Sequence, residues 1–338
     1  MKFCITGGGT GGHLSIADSL CFAAISRGHE VIFIGSTSGQ DRMWFGQHSG
    51  FSHVYFLDTS GVVNQGRLGK VKAMYKIFKA FLKSREILKK HNTQAVISVG
   101  GFSAAPAAFA SITKGLPLFI HEQNAVVGKL NSVLRSRAKL FISAYEKDSP
   151  VQGYPVKEQF FASSRVRQNL QTIIFLGGSQ GARAINDLAL HVSPVLKSRG
   201  IKIIHQCGER DYERVKSEYE KRGIEAELYS FTKEMASLIS RADLAVSRAG
   251  ASTLWELCAN GLPAFYVPYP SAAGDHQFYN ARFIVQEEMG WCEREGEGLE
   301  EKLLQVIDEP LQGKSKKLLE HSHKDVADEM IKLFEKSL

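Results

Sequence analysis

A glycine-rich loop stands in the corresponding place in each half of this chain. Gly7-Gly8-Gly9-Thr10-Gly11-Gly12-His13 follows an apolar run at 3–6, and Gly177-Gly178-Ser179-Gln180-Gly181-Ala182-Arg183 follows one at 172–176. An apolar run that feeds glycines and then an amphipathic stretch opens a βα unit, whose helix N-terminus can present backbone amides to an anion. Further apolar runs at 31–34, 54–57, 95–99, 118–121 and 140–143 alternate with helical patterns in the first half, and runs at 201–205, 225–229, 244–247 and 264–267 do so in the second. This alternation predicts an α/β protein of two Rossmann-like parallel-sheet domains facing across a cleft. The stretch 145–164, with Pro150, Gly153 and Pro155, has no clear period and is expected to be the linker. The domains are therefore placed at 1–157 and 158–316, with a C-terminal helix at about 317–338 expected to pack back on the first.

Composition removes several alternatives. At 338 residues, 43% hydrophobic and 23% charged, the chain can form two packed cores. Glycines begin at residue 7, so no apolar signal stretch is expected, and no uncharged apolar run reaches membrane-spanning length. Cys4, Cys21, Cys207, Cys258 and Cys292 fit neither a CxxC pattern nor a disulfide framework, and are expected to be reduced thiols in a cytoplasmic protein. The net charge of +7 resides in the segment 70–90, which holds eight basic residues and one acid. The rest of the chain is balanced, so a nucleic-acid-coating surface is not expected.

Gly7, Gly9 and Gly12 match the dinucleotide fingerprint, but Ile34-Gly35-Ser36-Thr37 offers no acid at the end of the second strand to hold a nicotinamide cofactor's ribose. Gly313-Lys314-Ser315 is not a P-loop, because Asp308 occupies the place of the first glycine. His121-Glu122-Gln123-Asn124 is not a zincin motif, because Ala125 replaces the second histidine. The sequence contains no Asp-x-Asp pair, so a metal bound to a donor diphosphate in that manner is not expected; no other metal and no cofactor are expected either.

His13, directly after the first glycines, is suited to take a proton from a sugar hydroxyl, with Glu122 as the alternate base. In the second half, Ser247-Arg248-Ala249-Gly250-Ala251-Ser252-Thr253-Leu254-Trp255-Glu256 runs from strand through turn into helix. Its amides suit a phosphate, and Glu256, about two turns in, suits a ribose.

GGGTGGH, GGF followed by Pro106, HEQN, GGSQGAR, SRAGASTLWE and DHQxxNA resemble, in order and spacing, the bacterial glycosyltransferases that add N-acetylglucosamine to undecaprenyl-linked muramoyl-pentapeptide. The resemblance covers nearly the whole chain and implies the two-domain GT-B fold. It implies an inverting enzyme that uses UDP-N-acetylglucosamine, forms a β1→4 bond on the lipid-linked acceptor and works at the cytoplasmic face of the bacterial inner membrane. It also implies donor contacts at Thr10, Gly11, Gly12, Asn124, Ser179, Glu256 and Gln277, with a uracil pocket near Phe231, Thr232 and Met235.

Three positions depart from that pattern. Ile16 replaces a proline, Lys157 replaces an arginine near the donor and so gives a point charge without a planar fork, and the acceptor loop is softened to Gly100-Gly101-Phe102-Ser103-Ala104-Ala105-Pro106.

A lipid-linked acceptor requires docking on an anionic membrane surface. Helical spacing from Val71 assigns Met74, Ile77 and Phe81 to the core. Val71, Tyr75, Phe78 and Leu82 are expected at headgroup level beside Lys72, Lys76, Lys79 and Lys83, with only Glu86 to balance the lysines. Three alternatives remain open. A UDP-N-acetylglucosamine 2-epimerase would share the nucleotide turn, another GT-B UDP-sugar transferase would act on a different lipid acceptor, and a non-catalytic nucleotide sensor or membrane adaptor would not need His13.

Overall fold

The computed structural model describes residues 1–47, 50–59, 67–178 and 181–338, with the backbone alone for 67–72. Its residues form two compact units, Met1–Val156 with Asp325–Leu338, and Lys157–Lys324. The first differs from the expected division at the C-terminus. The charged segment after residue 312 forms two helices, Gln312–Glu320 and Val326–Lys336, and only the second belongs to the first unit. That second helix buries Val326, Met330, Ile331 and Phe334. Phe334 stacks on Phe119 at 4.3 Å, and Glu335 pairs with Arg27 at 2.7 Å.

In the first unit, β1 (Lys2–Thr6), β2 (Glu30–Ser36), β3 (His53–Leu57), β4 (Ala95–Ser98), β5 (Leu118–Glu122) and β6 (Leu140–Ser143) form one parallel sheet in the order β3-β2-β1-β4-β5-β6. In the second, β7 (Thr172–Leu176), β8 (Lys202–Gln206), β9 (Ala226–Tyr229), β10 (Leu244–Ser247), β11 (Ala264–Tyr266) and β12 (Trp291–Cys292) repeat that winding in the order β12-β11-β10-β7-β8-β9. The strands are nearly continuous apolar runs because helices cover both faces of a parallel sheet. Their cores gather residues such as Cys4, Ile32, Val96 and Ile120 in one unit and Ile173, Phe175, Leu188 and Val246 in the other.

The winding places the functional loops. The strand order reverses between β1 and β4 in the first sheet and between β7 and β10 in the second, which opens a crevice at the carboxyl ends of those strands. The loops after β1, β4, β7 and β10 are the glycine-bearing segments singled out above. The expected linker carries more structure than its composition predicts. Val151, Tyr154, Val156 and Phe160 are buried, and Glu158–Ala162 is a short helix.

Candidate active site

In the first unit the loops after β1 and β4 interlock. Gly7 and Gly101 adopt φ +124° and +82°, and a Cβ on either would lie 2.4 Å from a backbone oxygen of the other loop, Gly100 O and Gly8 O respectively. The amide of Gly8 donates to Gly100 O at 3.2 Å. Asp41 holds this assembly from behind, its carboxylate accepting from the amides of Gly9 at 2.5 Å and Ser36 at 2.7 Å. The side chain is fully buried, and burial raises its pKa. An acid therefore does stand shortly after β2, but its oxygens are directed to the chain's own loop rather than to a ribose.

Thr10 caps the helix Gly11–Ser26 in extended conformation, without a side-chain bond to the first-turn amides. Its hydroxyl lies 2.9 Å from Nδ1 of His13 instead, and the Gln123 amide nitrogen lies 2.8 Å from Nε2. With Nε2 accepting from Gln123, the proton sits on Nδ1 and is donated to Thr10; the one lone pair of Nε2 is then engaged by the amide, so a base acting through Nε2 requires the acceptor hydroxyl to displace Gln123. Gly11 and Gly12 begin the same helix, and Gly100 approaches so closely that a Cβ there would be 3.2 Å from His13 Nε2. Phe102 packs over Gly9, whose Cβ would fall 2.8 Å from the ring.

Glu122, the alternate base, is tied into its own turn. One carboxylate oxygen accepts from Asn124 N at 3.0 Å, and the other accepts from Gly128 N and Asn131 Nδ2 at 2.9 Å each. A buried carboxylate with three donors organises the turn that carries Asn124. The neighbouring His121 is fully buried edge-on to Tyr154, and burial lowers its pKa to about 3, so it stays neutral.

In the second unit Gly177 and Gly178 follow β7, while Ser179 lies outside the described residues. Gln206 ties this loop to the end of β9, its amide donating to Gly178 O at 3.0 Å and Ser230 O at 3.1 Å. Gly250 is the N-cap of the helix Ala251–Asn260, where an added Cβ would meet nothing within 4 Å. Ala251, Ser252, Thr253, Leu254 and Trp255 form its first turns, and Glu256 follows on a half-buried face. Burial pushes the Glu256 carboxyl up to about 7, and the charge of Lys157, at the N-cap of the Glu158–Ala162 helix, pulls in the opposite direction.

Asn280 is fastened to the same turn, and Gln277 and Thr232 are held within their own segments. Gln277 accepts from Tyr269 N at 2.9 Å, and the buried Asn280 donates to Ala249 O at 3.2 Å. Arg248 is occupied structurally, donating to the carbonyls of Val267 and Pro268 and pairing with Glu295. Thr232 accepts from Glu234 N at 2.9 Å, beside the exposed ring of Phe231. Sequence reasoning did not reach Asp41 or Gln206, and it named Gln123 only within the HEQN motif without a role. Asp41 and Gln206 act by holding loops, a role without a motif, and Gln123 acts on the His13 ring.

The basic segment is the helix Arg67–Lys90. The side chains of Val71 and Lys72 lie outside the described residues. Met74 is 64% exposed, which corrects its assignment to the core, and it joins Tyr75, Phe78 and Leu82 in an exposed apolar stripe. The buried face consists of Ala73, Ala80, Ser84, Ile87 and Leu88, because this helix packs closely against the alanine-rich helix Ala105–Thr113. Ile77 and Phe81 are half-buried. Glu86 is not the only acid on the basic side. Lys83 pairs with Glu86 at 2.7 Å, Lys76 pairs with Asp58 at 2.8 Å, and Lys79 lies over the Tyr75 ring. No helix among the described residues is long and apolar enough to cross a membrane.

Residues 3–142 match the glycosyltransferase family 28 N-terminal domain, and residues 172–336 match the family's C-terminal domain. A protein of Sulfurimonas denitrificans named UDP-N-acetylglucosamine--N-acetylmuramyl-(pentapeptide) pyrophosphoryl-undecaprenol N-acetylglucosamine transferase is 64% identical, over 98% of this chain and 97% of its own. One of the same name from Helicobacter hepaticus is 49% identical over 95% of this chain and 93% of its own. The crystal structure of Acinetobacter baumannii MurG superposes with TM-score 0.78 at 28% identity, covering 99% of both chains. A Neisseria meningitidis UDP-GlcNAc 2-epimerase shares the fold alone, with TM-score 0.63 at 12% identity over 99% of this chain and all of its own.

Proposed function

This chain belongs to glycosyltransferase family 28, and from that premise we propose that it transfers N-acetylglucosamine from UDP-N-acetylglucosamine to the C4 hydroxyl of undecaprenyl-pyrophosphoryl-N-acetylmuramoyl-pentapeptide. The observation that carries this reading is the near full-length identity to transferases of that name, together with matching anion-ready loops at both sheets' switch points. The epimerase alternative rests on fold alone.

The acceptor oxygen attacks the anomeric carbon, the bond from that carbon to the diphosphate oxygen breaks, and UDP leaves with the bonding pair. Inversion converts the α-linked donor to a β1→4 product. The hydroxyl proton passes to Nε2 of His13 once the acceptor hydroxyl takes the place of the Gln123 amide there, while Nδ1 donates to Thr10. In this reading Thr10, Gly11, Gly12 and Asn124 line the donor side of the first unit, and the loop Gly100, Gly101 and Phe102 receives the acceptor. In the second unit the amides from Ala251 onward stabilise the departing diphosphate, Glu256 accepts from the ribose hydroxyls, and Lys157, Ser179, Thr232 and Gln277 complete the donor contacts. In this reading the donor needs no cofactor, and the sequence has no Asp-x-Asp pair to hold a metal at the diphosphate in that manner.

In this reading the helix Arg67–Lys90 is the membrane-facing element of an enzyme that works peripherally on the cytoplasmic face of the inner membrane. The support is its exposed Met74, Tyr75, Phe78 and Leu82 beside Lys76, Lys79 and Lys83, an apolar stripe with a cationic flank suited to anionic headgroups. Incubation with UDP-N-acetylglucosamine, with and without lipid-linked acceptor, tests the reading. UDP should appear only when acceptor is present, whereas epimerised donor in its absence would contradict transfer.

A further inference from the structure

At the amino-terminal ends of the first sheet's strands, opposite the glycine loops, three potential metal ligands converge from three elements. Glu30 opens β2, His53 opens β3, and His91 directly follows the helix Arg67–Lys90. One ligand atom of each lies within 4.8 Å of the others. The imidazoles of His53 and His91 are 4.4 Å apart between ring centroids. We propose that Glu30, His53 and His91 bind a borderline divalent cation, with Zn²⁺ the best match, and that the ion staples the C-terminal end of this helix to the sheet.

Two imidazoles and a carboxylate are a donor set for zinc, which binds such atoms at about 2.0–2.2 Å and accepts water as a fourth ligand. Ligand atoms around such an ion stand roughly 3.3 Å apart at tetrahedral angles, so closure from the observed spread requires only side-chain rotation. His53 is exposed and able to turn, while the buried His91 is fixed by the Tyr55 hydroxyl 2.7 Å from its Nε2. That contact from outside the donor set orients one ring, as partners of metal-bound histidines commonly do. The Lys2–Glu30 pair, 2.9 Å long and exposed, is the weak contact the ion would replace. The ligands are far apart in sequence, at positions 30, 53 and 91, so no spacing motif announces them.

The test is equilibrium dialysis of the untagged full-length chain against zinc chloride, with metal quantified per chain and the melting temperature followed in parallel. One zinc per chain and a raised Tm are expected. His53→Ala should weaken zinc binding at least tenfold and abolish the Tm increment, and His91→Ala should do the same if it folds. Cys292→Ser should change neither. Glycosyl transfer to a soluble acceptor should be equal with and without zinc, because the ligands lie at the edge of the sheet away from the loops. Absence of zinc binding, equal binding by wild type and His53→Ala, or loss of transfer when zinc is removed would each overturn the proposal.

Discussion

The carboxylate of Asp41 accepts the amide of Gly9 at 2.5 Å, so the first glycine loop is held in shape by an acid 32 residues further along the chain. Asp41 also accepts from Ser36, and a Cβ on Gly8 or Gly35 would strike its side chain, so the site fits a small carboxylate and little else. In Asp41→Asn one oxygen becomes a donor facing a backbone donor, leaving a buried amide unsatisfied. A loss of about 1–3 kcal/mol is expected, a fall in Tm of roughly 2–10 °C for a chain of this size. The same variant should reduce kcat/KM for transfer, because the loop carries Thr10 and leads into His13. Thermal melts and steady-state rates check both, and an unchanged Tm would show that the loop does not depend on this contact.

His13→Ala should lower kcat by about 10²- to 10⁴-fold while leaving UDP affinity nearly unchanged, since the imidazole acts on the acceptor hydroxyl. Gln123→Leu removes the donor to Nε2 and should reduce kcat less severely, with a shifted pH profile. A fall of less than about threefold for His13→Ala would place the base elsewhere.

Glu256 gives a pH prediction with a definite sign. Its carboxyl is raised to about 7 by burial, so in the free protein it holds its proton below that pH. Ribose hydroxyls donate to the ionised form, so UDP affinity should strengthen as pH rises through about 7 and level off above it. Below that point affinity should fall by up to about tenfold per pH unit, with a proton released on binding. Glu256→Gln should bind UDP more weakly and lose this dependence. Lys157→Ala should move the transition to higher pH, because the lysine's charge lowers the carboxyl pKa. Calorimetry in buffers of different ionisation enthalpy reads both effects.

Replacing Lys72, Lys76, Lys79 and Lys83 with Glu should abolish sedimentation with anionic vesicles and spare activity on a short-chain soluble acceptor. Each lysine near anionic lipid contributes about 1 kcal/mol, and the attraction weakens with salt. Phe78→Ser with Leu82→Ser should weaken binding with a smaller salt dependence, because it removes apolar insertion rather than charge. Vesicle binding by the Glu variant at low salt would make the helix only a cover for the sheet.

Much of the fold is visible in the sequence because buried parallel strands are apolar on both faces. Eleven of the twelve strands coincide with apolar runs, and the missed β12 is only Trp291–Cys292, too short to show a pattern. The misread helix face has a different cause. Periodicity weighted by hydrophobicity favours bulky residues, so Met74 was assigned inward, whereas Ala73, Ala80 and Ser84 face the neighbouring helix because small side chains permit its close approach. The site divides along similar lines. Residues in glycine loops and helix N-termini, such as Thr10, Gly12 and Ala251, can be found by motif. The carboxamides and the acid that hold those loops depend on which strands lie side by side, and that order appears only in the folded sheet.

The central claim is sugar transfer to a lipid-linked muramoyl acceptor, and its most direct test is the product itself. Purified enzyme, UDP-N-acetylglucosamine and a short-chain lipid-linked acceptor should yield one equivalent of UDP and a disaccharide whose new linkage, read by NMR, is β1→4. An α-linked product, or UDP release without a glycosylated acceptor, would contradict the account.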